Sequence, residues 1–247
     1  MRSNALLCVV FSCLFILFSE SAAAQGVTSE QPGAEGGELT ERIIQIFVLV
    51  TVLSLAPGIA MMVTCLPFIL IVLSILRQGV GLQQAPPNML IVSIALFLTY
   101  FVMEPVIKEA WANGAAPLIA NQISEEAALT EFIEPFEKFM LARVDSEAVA
   151  ILHDARFPDQ SVDLSSPPLS ILAPAFVLSE VQRAFQIGFI VLMPFLVIDL
   201  LVASILMAMG MMMVPPAIVS LPFKVSFFVL TNGWVAVSAA LVRGYAQ

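Results

Sequence analysis

Three ionisable residues interrupt or border the apolar stretches in the second half of the sequence: Glu180, Asp199 and Lys224. An unpaired charge at the centre of a bilayer costs about 2.5 to 3.5 kcal/mol on insertion scales. Such residues therefore either pair with one another or mark a path for ions or protons. Asp199 is also the residue type that a proton-coupled or ion-coupled secondary transporter uses.

The residue sets that an intramembrane enzyme needs are missing from this sequence. His153 is the single histidine, so neither a histidine metal cluster nor a Ser/His/Asp triad can form, and we expect it to be solvated in a polar loop. Cys8 and Cys13 fall in a predicted signal segment, which leaves Cys65 without a partner for a disulfide or a metal site. There is also no HExxH motif and no nucleotide-binding loop. We therefore predict no enzymatic activity, no metal and no cofactor.

The composition excludes a soluble monomer. Hydrophobic residues make up 60% of the 247 residues, charged residues only 12%, and the mean hydropathy is +0.97. A soluble domain carries roughly 25% charged residues, so most of this surface must face lipid or other subunits. Of the 19 acidic residues, 13 lie between Glu104 and Glu180, and this acidic balance argues against nucleic acid as a partner.

Residues 1–24 have the three parts of a cleaved signal peptide: Arg2, an apolar run from Ala5 to Phe18, and the small residues Ala22, Ala23 and Ala24. The alternative is a retained membrane anchor, although the apolar run is short for a span. Cleavage would leave residues 25–42 as a polar, mobile extracytoplasmic segment.

The apolar segments predict broken helical hairpins. Residues 43–76 carry no charge and would measure about 51 Å as one helix, so the first hairpin, 43–103, must break near Pro57-Gly58 or near Leu66-Pro67. Its second segment, Asn88 to Met103, is short for a full span. The C-terminal hairpin, 184–247, is interrupted by prolines and charges and ends in an apolar helix from Val225 to Val242. Such breaks are tolerated only against protein or a water-filled path, which favours packing into an assembly.

Between the two hairpins, residues 104–183 predict an acidic, periplasmic helical region. Helical spacing is clear from Glu125 to Ala142. The apolar stripe on this helix is either an ordinary core face or a binding groove, and it consists of Leu129, Phe132, Ile133, Phe136 and Met140.

Specific strings in the second half closely resemble the FliP family. They are PAFVLSE from Pro174, PFLVIDL from Pro194 and MAMGMMMVPP from Met207, with LPFK from Leu221 and NGW from Asn232. The resemblance covers roughly Ile43 to the C-terminus, and Asn232 departs from it because many members have Asp there. The motif residues are Pro174, Phe176, Glu180, Pro194, Asp199, Gly210, Pro215 and Pro216.

This resemblance implies a fold and a function. It implies an all-α integral membrane protein with an extracytoplasmic helical insert, assembled into a ring-like helical complex in the bacterial cytoplasmic membrane at the flagellar basal body. The implied function is that of the core pore-forming component of the flagellar type III export gate, which passes unfolded flagellar proteins. The implied partners are further copies of the chain, membrane lipid, FliQ-type and FliR-type gate proteins, a FliO-type assembly factor, and FlhA-type and FlhB-type export proteins.

Two alternatives to this function stay open. Injectisome relatives share the motifs, although the predicted signal peptide and the long polar start favour the flagellar branch. A small-molecule secondary transporter would fit Asp199, but such carriers usually have two similar halves, and no internal repeat is visible.

The resemblance also implies roles for individual residues. Met209, Met211, Met212 and Met213 form the family's methionine-rich constriction, in which flexible apolar side chains close a pore against ions. The alternative is that these methionines only fill gaps in a helix interface. For the charges, we expect Lys224 of one subunit to face Glu180 or Asp199 of a neighbour and fix the register of the ring, with Arg183 as an alternative donor. Pairing within one subunit is the other possibility.

Overall fold

The computed structural model describes residues 36–82, 85–157, 167–211 and 213–245, and these residues form helices and turns without a strand. The predicted signal peptide, most of the segment 25–42 and Met212 lie outside the described residues. The all-α class is confirmed for the described part of the chain. In chain order the helices are α1 (Gly36–Val63), α2 (Leu66–Val80), α3 (Asn88–Ala110), α4 (Ala116–Ile119), α5 (Glu125–Leu141), α6 (Ser146–Arg156), α7 (Leu169–Ala208), α8 (Pro216–Leu230) and α9 (Gly233–Arg243).

The chain divides into two compact units after Ser54. The described part of the first unit is the beginning of α1, so the predicted polar segment is helical from Gly36 onward. Its side chains are exposed from Arg42 to Thr51, and most of them are large and apolar. An apolar helix surface of this kind requires lipid or other protein around it.

The first apolar stretch breaks at the second of the two expected places. Pro57 and Gly58 stay inside α1, whereas the helix ends at Val63 and α2 begins at Leu66. Pro67 then lies in the first turn of α2, where a proline costs nothing because its missing N–H would have no helical partner.

Helix α2 is the centre of the second unit rather than a membrane span. Its 15 residues correspond to about 22 Å, which is shorter than the hydrocarbon core of a bilayer. It packs against α3, α7 and α8. Buried side chains follow one another on each of its turns, and they are Phe68, Ile69, Val72, Leu73, Leu76 and Val80. A helix whose side chains are mostly apolar and at least partly buried belongs in such a core.

Two glycines allow α2 and α7 to approach closely. A Cβ atom at Gly188 would lie 2.5 Å from Cδ1 of Ile75, and one at Gly79 would lie 2.5 Å from Cδ2 of Leu192. Ile75 of α2 fills the space beside Gly188, and Leu192 of α7 fills the space beside Gly79. Each helix therefore places a branched side chain against a glycine of the other. The interface is therefore fixed in register along both helices.

Helix α3 does not end at Met103, which corrects the expected short second segment. It continues to Ala110 and, through a π-helical turn at Trp111–Ala115, into α4, so 32 residues run from Asn88 to Ile119. The side chains of Glu104 and Lys108 form an exposed ion pair one turn apart on this helix, at 2.6 Å. The proposed boundary at residue 104 thus falls inside one helix.

The acidic region contains the predicted helix and one wrong expectation. Helix α5 begins after Ser124, whose hydroxyl accepts a hydrogen bond from the backbone N–H of Ala127, and its Met140 packs with Leu172 and Phe176. His153 was expected in solvent but is buried in α6 beside the ring of Phe157. Helix α6 packs against α7, and this packing buries the face of α6 that carries His153.

Helix α7 continues through Asp199 and so corrects the expectation that this charge interrupts the apolar stretch. It runs for 40 residues, about 60 Å, straight through Pro174 and Pro194. It ends at Ala208, so the expected interruption beside Pro215 and Pro216 is present. A further bend of 59° lies between α8 and α9 beside Asn232, which has a left-handed backbone conformation. Pro222 lies inside α8.

Three helical stretches are long and apolar enough to cross a membrane: Arg42–Val63, Asn88–Ile119 and Leu169–Ala208. A fourth is possible if α8 and α9 form one bent span. This number concerns the described residues and rests on length and composition.

Candidate functional site

The methionine turn, residues 209–214, joins α7 to α8 and is shaped by Gly210. The N–H of Met211 donates to the carbonyl of Leu206 at 2.9 Å, and the N–H of Gly210 donates to that of Met207 at 3.0 Å. This pair of bonds is the Schellman arrangement, which ends a helix with one residue in the left-handed region. Gly210 is that residue, with φ +73°, so the sequence stops α7 and turns the chain outward at this point.

The described side chains of the methionine turn project from the end of the hairpin. Met209, Met211 and Met213 are 63%, 45% and 97% exposed, while Met212 lies outside the described residues. Pro215 then caps α8, and Pro216 occupies its first turn. Flexible thioether side chains held at an apolar tip can adapt to surfaces of many shapes. The assignment of these four methionines as a gasket stays a prediction.

The hairpin pair, Asp199 and Lys224, joins α7 to α8 below this turn. Lys224 Nζ lies 2.6 Å from Asp199 Oδ2, and the hydroxyl of Ser220 donates to Asp199 Oδ1 at 2.5 Å. The Lys224 side chain is buried, whereas that of Asp199 is 35% exposed. Ten residues of helix, about 15 Å, separate Asp199 from Met209. The pair thus fixes the two helices below the methionine turn.

A second charged group, the Glu180 cluster, joins three parts of the chain. It consists of Glu180 on α7, Arg183 one turn later, Arg143 after α5 and Tyr245 after α9. The Glu180 carboxylate is fully buried, with Arg183 at 3.3 Å and Arg143 at 3.5 Å from Oε1. The Tyr245 hydroxyl donates to its other oxygen. Arg183 also donates to the carbonyl of Arg143 at 3.1 Å.

Arg143 holds the end of the chain in place within this cluster. Both of its terminal nitrogens donate to the carbonyl of Gly244 at 3.2 Å, and its guanidinium lies 3.7 Å from the centre of the Tyr245 ring. Burial and then the neighbouring Glu180 carboxylate raise the pKa of Tyr245 well above its ordinary value, so the phenol stays a donor.

The structure brings some of the predicted charges together and separates others. Lys224 meets Asp199 of its own chain, and Glu180 meets Arg183, which was expected only as an alternative donor. Lys224 and Glu180 belong to different clusters. Contacts with a neighbouring subunit through these residues stay a prediction.

Three residues that bond to the predicted charges were not identified from the sequence: Ser220, Arg143 and Tyr245. Ser220 could have been found, because it lies one helical turn before Lys224 and so shares its face. Arg143 and Tyr245 lie 37 and 65 residues from Glu180. Only the folded chain brings them to that carboxylate.

The other motif residues shape the helices. Phe176 is fully buried in a core with Met140 and Leu172, and Pro174 and Pro194 lie within α7. Among the described residues no three histidine, cysteine, aspartate or glutamate side chains come together as metal ligands would.

The family model described as "FliP family" matches residues 49–241 of the chain. The chain belongs to the FliP family. The match includes the hairpin pair, the methionine turn and all of the Glu180 cluster except Tyr245.

Individual members of the FliP family are similar over most of their length. The flagellar biosynthetic protein FliP of Rhizobium meliloti is 48% identical over 211 residues, which cover 85% of this chain and 86% of the relative. That of Caulobacter vibrioides is 42% identical over 247 residues, covering 100% and 92%. That of Bacillus subtilis is 42% identical over 202 residues, covering 82% and 91%.

Proposed function

We propose that the chain is a core pore-forming component of the flagellar type III export gate, which passes unfolded flagellar proteins across the bacterial cytoplasmic membrane at the basal body. The observation that carries the proposal is the methionine turn, an exposed run of flexible apolar side chains at the end of an apolar hairpin. Family membership and the flagellar names of the relatives support it.

In the proposed mechanism, the methionine turns of several copies meet around a central path. Thioether side chains exclude hydrated ions from a narrow passage because they offer no hydrogen bonds in exchange for lost water. They change rotamer easily, so they can separate around an unfolded chain of any sequence. Gly210 sets the direction of the turn, and Met209, Met211, Met212 and Met213 close the passage.

We also propose that the hairpin pair contributes to the register of a ring. Within one chain Lys224 is already bonded to Asp199. The Asp199 carboxylate is 35% exposed and can accept a second donor from a neighbouring subunit. Glu180 is fully buried among its own partners, so Asp199 is the better candidate for such a contact.

The proposed partners follow from the large apolar outer faces of the chain. Further copies, FliQ-type and FliR-type gate proteins and membrane lipid would cover these faces. A FliO-type assembly factor and FlhA-type and FlhB-type export proteins would act with them, and unfolded flagellar proteins would be the transported substrates. One uncovered surface is an apolar groove of about 430 Å³ between α7 and α8, lined among others by Leu201, Ile205, Val219 and Phe223.

The alternatives have less support. The relatives described above carry flagellar names, which favours the flagellar branch over an injectisome. For a secondary transporter, Asp199 would have to be free to bind an ion or a proton, but it is already bonded to both Lys224 and Ser220.

The experiment is a membrane-leak assay on a variant with Met209, Met211 and Met213 changed to alanine. We expect a permeability to small ions that the unchanged protein lacks, because alanine leaves the passage open. The matched control is Met89→Ala, which removes an exposed methionine at the start of α3. A triple variant that is as tight as the control would contradict the pore role.

A further inference from the structure

A cavity of about 330 Å³ lies between α2, α7 and α9, and the proposed function does not use it. Its volume falls within the range of roughly 300 to 1,000 Å³ that is typical of small-molecule sites. Apolar side chains line most of it, and they include Phe68, Ile187, Val191, Val237 and Leu241.

The two arginines of the Glu180 cluster lie at one end of this cavity. Arg183 precedes Ile187 and Val191 on α7 by one and two helical turns, and Arg143 is bonded to Gly244 at the far end of α9. The cavity is therefore charged at one end and apolar along the rest of its length.

The charged end carries more positive than negative charge. Within the described residues, Glu180 supplies the one carboxylate that contacts the two guanidinium groups. Nε of Arg143 is buried and faces the Glu180 carboxylate, whereas the Arg183 side chain is 36% exposed, so N–H donors of Arg183 remain for a further anion.

The position of this end along α7 matches the edge of a membrane. Arg183 is followed by a charge-free stretch from Ala184 to Ile198, within the helix that is long and apolar enough to span. Arginines at the edge of such a stretch lie at the depth of lipid headgroups. Phosphate groups of lipids are the anions present there.

We propose that this cavity binds one anionic glycerophospholipid, with its phosphate at Arg183 and Arg143 and one acyl chain along Ile187, Val191 and Val237. The acidic side chain of a partner protein would meet the arginines equally well, but it would leave the apolar length of the cavity empty. An acyl chain fills that length, and guanidinium groups pair well with phosphate oxygens.

The test is a lipid titration of the full-length chain in detergent, followed by native mass spectrometry. The probes are phosphatidylglycerol, the zwitterionic phosphatidylcholine, and glycerol 3-phosphate as a headgroup without chains. The variants are Arg183→Gln at the charged end and Ala240→Leu, which fills the apolar part without touching a charge. Arg243→Gln is the matched control, because Arg243 is an exposed arginine at the end of α9 that does not line the cavity.

We expect phosphatidylglycerol to bind at least about tenfold more tightly than phosphatidylcholine, because the choline of the latter places a positive charge beside the arginines. Arg183→Gln and Ala240→Leu should each weaken binding about tenfold, and Arg243→Gln should not change it.

Several results would overturn the proposal. One is equal binding of the two lipids, and another is undiminished binding to Ala240→Leu. Glycerol 3-phosphate binding as tightly as the lipid would indicate a soluble anion instead. A co-purified protein lost in Arg183→Gln, with lipid binding unchanged, would show that the occupant is a protein. If Arg183→Gln fails to fold, as judged by size-exclusion chromatography, Ala240→Leu decides.

Discussion

At the scale of single residues, the hairpin pair shows how a membrane-type sequence can contain charges. Lys224 is buried, and its ammonium group is bonded to Asp199, which Ser220 holds from its other oxygen. Each group would be costly alone in an apolar setting, and together they satisfy one another. The pair is therefore expected to matter as a unit.

A double-mutant cycle tests this coupling. We expect Lys224→Ala or Asp199→Ala to destabilise the chain by about 2 to 3 kcal/mol each, less than a fully buried pair because Asp199 is 35% exposed. The double variant should lose much less than the sum of the two, and thermal unfolding in detergent measures all three. Lys108→Ala, which breaks an exposed pair with Glu104, serves as the control and should change little. Additive losses at Asp199 and Lys224 would mean that the pair contributes nothing.

Tyr245 gives a prediction about pH. Its pKa is raised in the folded chain by burial and by the Glu180 carboxylate, so the folded state favours the protonated phenol. The stability that it contributes is fully present below the unfolded pKa of about 10 and is lost as the pH rises above that value. We expect the melting temperature to fall above about pH 10, and Tyr245→Phe to lose this part of the pH dependence. If the melting temperatures of the unchanged protein and Tyr245→Phe depend on pH in the same way, the Tyr245 phenol is not the group responsible.

At the scale of helices, the close approach of α2 and α7 depends on Gly188. We expect Gly188→Leu to destabilise the chain by about 1 to 3 kcal/mol, because the new side chain overlaps Ile75 and forces the helices apart. The comparison is Gly58→Leu in α1, where a Cβ atom would meet nothing within 4 Å. Leucine forms helices better than glycine, so this control should be neutral or slightly stabilising. Equal losses of stability in the two variants would show that the overlap with Ile75 is not the cause.

The end of α7 depends on Gly210 for a different reason. Space around it is open, but φ +73° is a conformation that alanine adopts at a cost of about 1 to 2 kcal/mol. We expect Gly210→Ala to lower stability by that amount and to impair export through a misdirected methionine turn. Gly210→Asn should retain more of both, since asparagine tolerates this conformation. Motility in soft agar together with thermal unfolding measures the effect, and a fully motile, fully stable Gly210→Ala would contradict it.

The helices also show what the sequence could and could not predict. The break before Leu66-Pro67, the helix from Glu125 and the apolar character of the hairpins follow from local patterns that a single sequence displays. The continuity of α7 does not, because a proline inside an apolar stretch is compatible with both a break and an unbroken helix. Pro174 and Pro194 lie inside the unbroken helix α7, whereas the chain turns directly before Pro215 and Pro216. The partners of Glu180 were missed because they lie far away in sequence, where spacing carries no information.

At the scale of the whole molecule, much of the apolar surface has no cover within a single chain. Large apolar side chains are exposed along α1, α3, α7, α8 and α9. Patches of this extent mark contacts with membrane or protein. The chain is therefore expected to be one part of a larger membrane assembly.

Native mass spectrometry of the chain, coexpressed with its neighbouring membrane genes, tests that expectation. We expect a discrete multimer carrying small helical partners, because apolar faces of this size are more stable when covered. The same spectra give the subunit mass, which should lack residues 1–24 if the signal peptide is removed. A stable monomer or dimer without partners would contradict the ring.

The length of α7 has a consequence for the cargo. Its 40 residues extend about 60 Å, twice the roughly 30 Å of hydrocarbon in a bilayer. An extended polypeptide covers at most about 3.5 Å per residue, so if the proposed passage runs parallel to this helix it would hold about 17 residues of an exported protein at once. A cargo protein would then need an unfolded leading segment of at least that length before its first residue could emerge on the far side.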